Sequence, residues 1–211
     1  MEEIQKLHSE IPSDLNNSSA EKILEAATDL FAQNAFSAVS IKQIAAASGV
    51  NSALISYYFG GKKNLYQTVL NKQSEAFMQI MERLAQESLS PMEKLHKYVE
   101  ALAKLQEARP HCLHLIYREL TSPQPTFENF VKNRLYRIHT FMTGLVAEAA
   151  EKKELAGNMQ PTHVAFTLEG IIMFYFLMKK SVRELGNFEP GQETHYLTQA
   201  LNSYLESLKK T

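Results

Sequence analysis

The chain has 211 residues, 45% of them hydrophobic, with a net charge of −1 and one cysteine. That hydrophobic share argues against disorder, and the length fits one or two domains. Cys112 alone excludes an intramolecular disulfide framework and suits a reducing cytoplasm, while the near-zero net charge means that any nucleic-acid role must rest on local charge.

The N-terminus lacks the basic start and apolar run of a signal peptide. Residues 1–19 read as a flexible arm, with a structured turn as the alternative, because Pro12 and the polar run that follows break any helix begun before them. Lys6 there stands against Glu2, Glu3 and Glu10, a poor charge balance for reaching a DNA groove. Ser18 and Glu21 have capping-box spacing. A long helix follows to about residue 36, with Ile23, Ala27, Leu30 and Phe31 on one face.

Ser40 and Gln43 repeat the capping-box spacing, and Ile41, Ile44 and Ala45 recur at helical intervals. Gly49 supplies a left-handed helix end. A second short helix starts at Asn51 or Ser52, with Leu54 and Ile55 inward. Two short helices joined by a glycine-bearing turn form a helix-turn-helix, whose second helix enters the DNA major groove. No Asp or Glu lies between Leu30 and Ser74, whereas Lys42, Lys62, Lys63 and Lys72 do. A surface that meets phosphate should lack carboxylates.

Leu65, Tyr66, Val69 and Leu70 open a fourth helix that continues through Phe77, Ile80, Met81 and Leu84. Its length makes it a candidate link into whatever follows. Ser90, Pro91 and Glu93 mark the next helix start. A short helix is expected over residues 111–120, and a long amphipathic one over residues 127–150. From Pro161 the chain is helical again, and residues 164–178 are apolar nearly all round, so this helix needs cover on every side. The run is too short, and carries an acid at Glu169, for a membrane span. Leu197, Leu201, Leu205 and Leu208 give the last helix one apolar stripe.

Gly49-Val50-Asn51, Ile55 through Lys62, and Leu65-Tyr66 resemble the DNA-binding signature of the TetR (tetracycline repressor) family, as does the preceding helix with Ala-Ala-Thr-Asp-Leu-Phe at its centre. The match covers residues 19–70. It departs at Gly61, where the family often has Ser, and at Lys63, where it often has Glu. The resemblance implies an all-α chain with an N-terminal three-helix helix-turn-helix domain, residues 20–66. A C-terminal helical ligand-binding and dimerisation domain, residues 67–211, would follow it. It also implies that the last two helices pair with their twofold copies as a four-helix bundle.

DNA contact is expected from Ser40, Lys42, Asn51, Ser52, Ala53, Ser56, Tyr57, Tyr58 and Lys62. Ser52 and Ala53 would face bases; Ser40, Tyr57 and Lys62 would hold phosphates. A pocket for an apolar effector draws on the Met- and aromatic-rich C-terminal part. Its apolar candidates are Phe77, Met81, Phe130, Phe141, Phe174 and Leu177. The polar candidates are His114, Tyr117, Arg118 and Arg134. Gly170, Phe174, Leu197, Leu201 and Leu205 are the expected dimer interface.

Enzyme signals are weak. Gly60-Gly61-Lys62-Lys63 lacks the remaining residues of a phosphate loop. His111 and His114 share a helix face, but no second Cys/His pair completes a metal site. The expectation is therefore a cytoplasmic, non-enzymatic regulator with no cofactor, no metal and no membrane contact. Its partners would be double-stranded operator DNA, a small-molecule effector that releases it, and a second copy of itself. The competing reading is a helical protein-interaction adaptor with a vestigial helix-turn-helix.

Overall fold

The computed structural model describes residues 19–109, 114–116, 118–119, 134–156, 159–186 and 192–209. The arm and the Ser18 cap lie outside the described residues, as do most of residues 111–133. The chain divides into two compact units, Met1–Asn71 and Lys72–Thr211. The described residues form helices and turns, with no strand among them.

In the first unit, α1 spans Ser19–Gln33 and buries Ile23, Ala27 and Phe31. It stops before residue 36: the Asn34 N–H makes the last i→i−4 bond, to the Leu30 carbonyl, to which the Asn34 side-chain amide also donates. Ala35 is then extended, and Phe36–Ala38 makes one 3₁₀ turn. The helix α2 spans Ile41–Ser48, and Gly49 ends it at φ 68°. The helix α3 spans Ala53–Phe59 and ends at Gly60, also at φ 68°. Both glycines take a left-handed backbone that a Cβ would strain. The helix α4 spans Lys62–Gln86. Against α1 pack both α2 and α3. Phe31 and Tyr66 meet edge to face at 4.6 Å between centroids, joining α1 to the start of α4. Leu65, Tyr66, Val69 and Leu70 are all buried, so this unit continues past residue 66.

In the second unit, α4 buries Phe77, Met78, Met81 and Leu84. The helix α5 spans Pro91–Ala108, and its start has the expected reciprocal cap between Ser90 and Glu93. Three more follow: α6, Tyr136–Glu151; α7, Pro161–Gly186; and α8, Gln192–Ser207. Here α5 packs on α6, α6 on α7, α7 on α8, and α8 back on α5, which closes a ring of four helices. The loop after α6 stitches that ring at one end. Glu154 accepts from the Met92 N–H at 3.0 Å, and the Ala156 N–H donates to the Leu208 carbonyl at 2.9 Å.

The last helix corrects the sequence reading. Leu197, Leu201 and Leu205 are buried within the protomer, so they form the core side of α8 and offer no surface to a second copy. One stripe can face only one way, and here it fills the ring. The cover that α7 needs is only partly supplied. Val164, Ala165, Leu168 and Ile172 are buried, while Phe166, Phe174 and Met178 on the same helix are exposed. Among the described residues no helix is long and apolar enough to cross a membrane.

Candidate nucleic-acid interface

The helix-turn-helix is built from caps. At the start of α2 the Ser40 hydroxyl accepts from the Gln43 N–H at 3.2 Å, and the Ser40 N–H donates to Gln43 Oε1 at 2.8 Å. The Ser40 hydroxyl also donates to Gln43 Oε1 at 2.8 Å. Its hydrogen is therefore engaged inside the protein, and a phosphate would have to compete for it. At α3 the cap is divided between two residues. Asn51 Oδ1 accepts from the Ala53 N–H at 2.9 Å, as in an Asx turn. Ser52 stands at the N-cap position, yet its side chain makes no capping bond. That leaves the Ser52 hydroxyl at the head of α3, outside the helix's own hydrogen bonding.

Ile55 is fully buried and anchors α3, while Ser52, Ala53, Ser56 and Tyr57 are exposed on it. Tyr57 is 79% exposed. Its ring meets Tyr58 edge to face at 5.0 Å, and Tyr58 is half-buried. An aromatic ring this exposed has a large apolar face unsatisfied by its own protomer. Lys42, Gln43, Ala46 and Ala47 line the exposed side of α2. Lys63 is exposed in the first turn of α4. With no carboxylate in this stretch of sequence, the face combines hydroxyls, amides, ammonium groups and an aromatic ring. Such groups suit phosphate and base-edge contact.

Lys62 departs from the expectation. It is half-buried, and its ammonium donates to the carbonyls of Phe36 at 2.9 Å and Val39 at 2.7 Å. It also lies 4.2 Å from the centroid of the Phe36 ring. Two of its three donors are thus turned into the protein, toward the 3₁₀ turn between α1 and α2. Sequence gave no sign of this, because the carbonyls that orient the amine carry no side-chain signature.

Some of the residues expected to line an effector pocket fall among the described residues. Phe77 and Met81 are buried in α4, and Phe141 is half-buried beside Tyr98, with ring centroids 6.0 Å apart. His114 is exposed and Arg118 half-buried. Arg134 is half-buried, and desolvation together with the neighbouring Arg137 lowers its pKa. Tyr117, Phe130 and the side chain of Leu177 lie outside the described residues. Phe174 is 63% exposed and lines no interior wall. It borders instead an open groove of about 520 Å³ between α7 and α8, lined by Thr167, Gly170, Ile171, Phe174, Tyr175, Tyr196 and Ala200.

One polar group in the second unit was missed by sequence reading. His139 Nδ1 lies 3.1 Å from Glu169 Oε1, and the imidazole stacks on Phe166 at 4.3 Å. Burial raises the Glu169 pKa, and His139 partly opposes it. The fully buried phenol of Tyr98 is pushed upward by desolvation and by the nearby Glu169 carboxylate. The signal available beforehand was Glu169 alone in an apolar run, without its partner on another helix.

An all-α chain that presents a capped helix-turn-helix with an acid-free, exposed second helix is a DNA-binding regulator in architecture. Comparison with known proteins agrees. Residues 23–69 match the model for bacterial regulatory proteins of the tetR family. Residues 91–207 match the C-terminal domain of the HTH-type transcriptional dual regulator CecR. YttP of Bacillus subtilis (strain 168), a probable HTH-type transcriptional regulator, is 26% identical over 91% of this chain and 91% of its own length. The ketosteroid transcriptional regulator KstR2 of Mycobacterium tuberculosis superposes with a TM-score of 0.74 at 17% identity, covering 92% of this chain and 97% of KstR2. AibR, solved with isovaleryl coenzyme A and operator DNA, gives a TM-score of 0.71 at 19% identity, over 87% of this chain and 98% of AibR. The chain belongs to the TetR family of transcriptional regulators. It is a DNA-binding regulator and not an enzyme, and the adaptor reading falls away.

Proposed function

We infer that the protein is a homodimeric repressor that holds a near-palindromic operator and is released by a small, largely apolar effector. The observation that carries the dimer is the uncovered face of α7 and α8. Phe166, Gly170, Phe174 and Met178 follow at intervals of four along α7, beside Tyr196 and Ala200 of α8. Contiguous exposed apolar surface of this kind marks an interaction site. A second copy of the same face is the self-complementary occupant of a twofold interface. Gly170 has no atom within 4 Å of where a Cβ would stand, so a partner helix has room to approach there.

One helix-turn-helix spans too few base pairs for useful specificity, and two copies related by a twofold axis supply two half-sites. Within each copy Ser52 and Ala53 meet base edges, and Tyr57 packs along the backbone. Lys42 and Lys63 answer the phosphates.

Effector release rests on two supports. The chain passes from the first unit to the second within one helix, α4, whose second part buries Phe77 and Met81. AibR, which is similar in fold, was solved in complex with isovaleryl coenzyme A and operator DNA. A ligand that prefers the DNA-incompetent form by about 1.4–2.8 kcal/mol lowers DNA affinity tenfold to a hundredfold. Linkage then requires operator DNA to weaken effector binding by the same factor. Titrating a released effector with and without operator tests this, and equal affinity in both titrations refutes the release mechanism.

A further inference from the structure

The connection between α1 and α2 is short and irregular. Phe36–Ala38 is a 3₁₀ turn, Val39 is extended with a buried side chain, and Ser40 then caps α2. The carbonyls of Phe36 and Val39 stand at the two ends of that turn. Both receive the ammonium of Lys62, the first residue of α4. Phe36 lies under that ammonium, and its ring meets Tyr66 at 5.0 Å and Phe31 at 6.0 Å. The aromatic cluster thus fixes one side of the turn and the ammonium fixes its backbone. Charge-assisted bonds of this length are the strong kind, and a half-buried site shields them from water.

Resting on the DNA-binding role, we propose that Lys62 is a positioning residue of the DNA interface. It clamps the turn that carries Ser40 and the N-terminus of α2, and it acts through them instead of contacting phosphate itself. Its neighbours divide the work. Lys42 and Lys63 are exposed and meet no backbone carbonyl clamp of this type, and they carry the phosphate charge. Adjacent lysines at 62 and 63 therefore serve opposite ends, one the protein's own backbone and one the DNA's. The clamp also ties the first turn of α4 to the start of α2, so a displacement of that turn reaches the DNA-binding face directly.

The test is the salt dependence of binding to a selected operator duplex. Lys62→Met keeps a stem over Phe36 and removes every donor. It should weaken binding by about tenfold, the loss expected for strong internal bonds, with the slope of log affinity against log salt unchanged. Lys42→Ala and Lys63→Ala should each lower that slope by about one. Ser40→Ala combined with Lys62→Met should cost much less than the sum of the two single losses, because the two residues act on one turn. A slope lowered by about one in Lys62→Met overturns the proposal, as does full additivity with Ser40→Ala. A second measurement needs no variant. Amine acylation of the unmodified protein should label Lys42 and Lys63 quickly and Lys62 slowly, and operator should protect only the first two. Rapid labelling of Lys62 that operator then suppresses would overturn the clamp even if Lys62→Met fails to fold, while failure of operator to protect any lysine would overturn the DNA-binding role itself.

Discussion

Truncating Phe174 to alanine should split the dimer without unfolding the protomer. Phe174 is 63% exposed in the single chain, so about two-thirds of its surface is available to a partner. Full burial of a phenylalanine side chain stabilises by ~1.5–3 kcal/mol, which leaves ~1–2 kcal/mol here. A twofold interface contains the residue twice, so Phe174→Ala removes ~2–4 kcal/mol per dimer, or roughly 30- to 700-fold in the dimer Kd. The protomer should hardly notice, since surface substitutions of this kind stay within about 0.5 kcal/mol. Leu201→Ala is the matched control. Leu201 is 0% exposed within the protomer, so truncation should cost ~2–5 kcal/mol of protomer stability and lower Tm. Sedimentation velocity over a dilution series reads the dimer Kd, and circular dichroism melting reads the protomer. An unchanged dimer Kd for Phe174→Ala, with the dimer lost in Leu201→Ala at full helix content, would refute the assignment of the exposed face.

Three further outcomes follow from the same geometry. Ser40→Ala removes the cap of α2 and should cost ~0.5–2 kcal/mol of stability, read as a lower midpoint in urea with the slope unchanged. Ala53→Asp places a carboxylate at the head of the recognition helix; it should abolish operator binding in a gel shift while leaving thermal stability within about 0.5 kcal/mol of the parent. Glu169 has a folded-state pKa raised by burial. Its contribution is therefore present below the ordinary carboxylate pKa and lost as pH rises through the raised value. Melting curves across the acid range should show the parent losing stability relative to Glu169→Gln over that window, and a difference curve flat with pH would contradict the burial of the carboxyl.

The helix ends were legible because their information is local. Ser40 with Gln43, Gly49, and Ser90 with Glu93 each declare a helix end within four residues, and all of them fall where the chain places its caps. The exposure of Ser52, Ala53, Ser56 and Tyr57 follows from one helical period with Ile55 inward. What failed to show was long-range. Lys62 reads as a basic residue beside a DNA-binding helix, and only the fold brings the carbonyls of Phe36 and Val39 to it. The stripe Leu197, Leu201, Leu205 has the same sequence pattern whether it faces a core or a partner. The closed ring of α5, α6, α7 and α8 decides for the core, and the exposed surface falls instead on Phe166, Phe174 and Tyr196. His139 and Glu169 belong to different helices, so their pairing has no sequence spacing to read.

In the proposed function α3 reads DNA as one half of a twofold pair. Selection of binding sites from a random duplex library by the full chain, followed by sequencing, tests it most directly. Enriched inverted repeats are expected, with half-site centres about one helical turn, ~34–36 Å, or a multiple apart, and the enrichment should disappear for Ala53→Asp. No enriched sequence at moderate salt, or enrichment that survives Ala53→Asp, would contradict it.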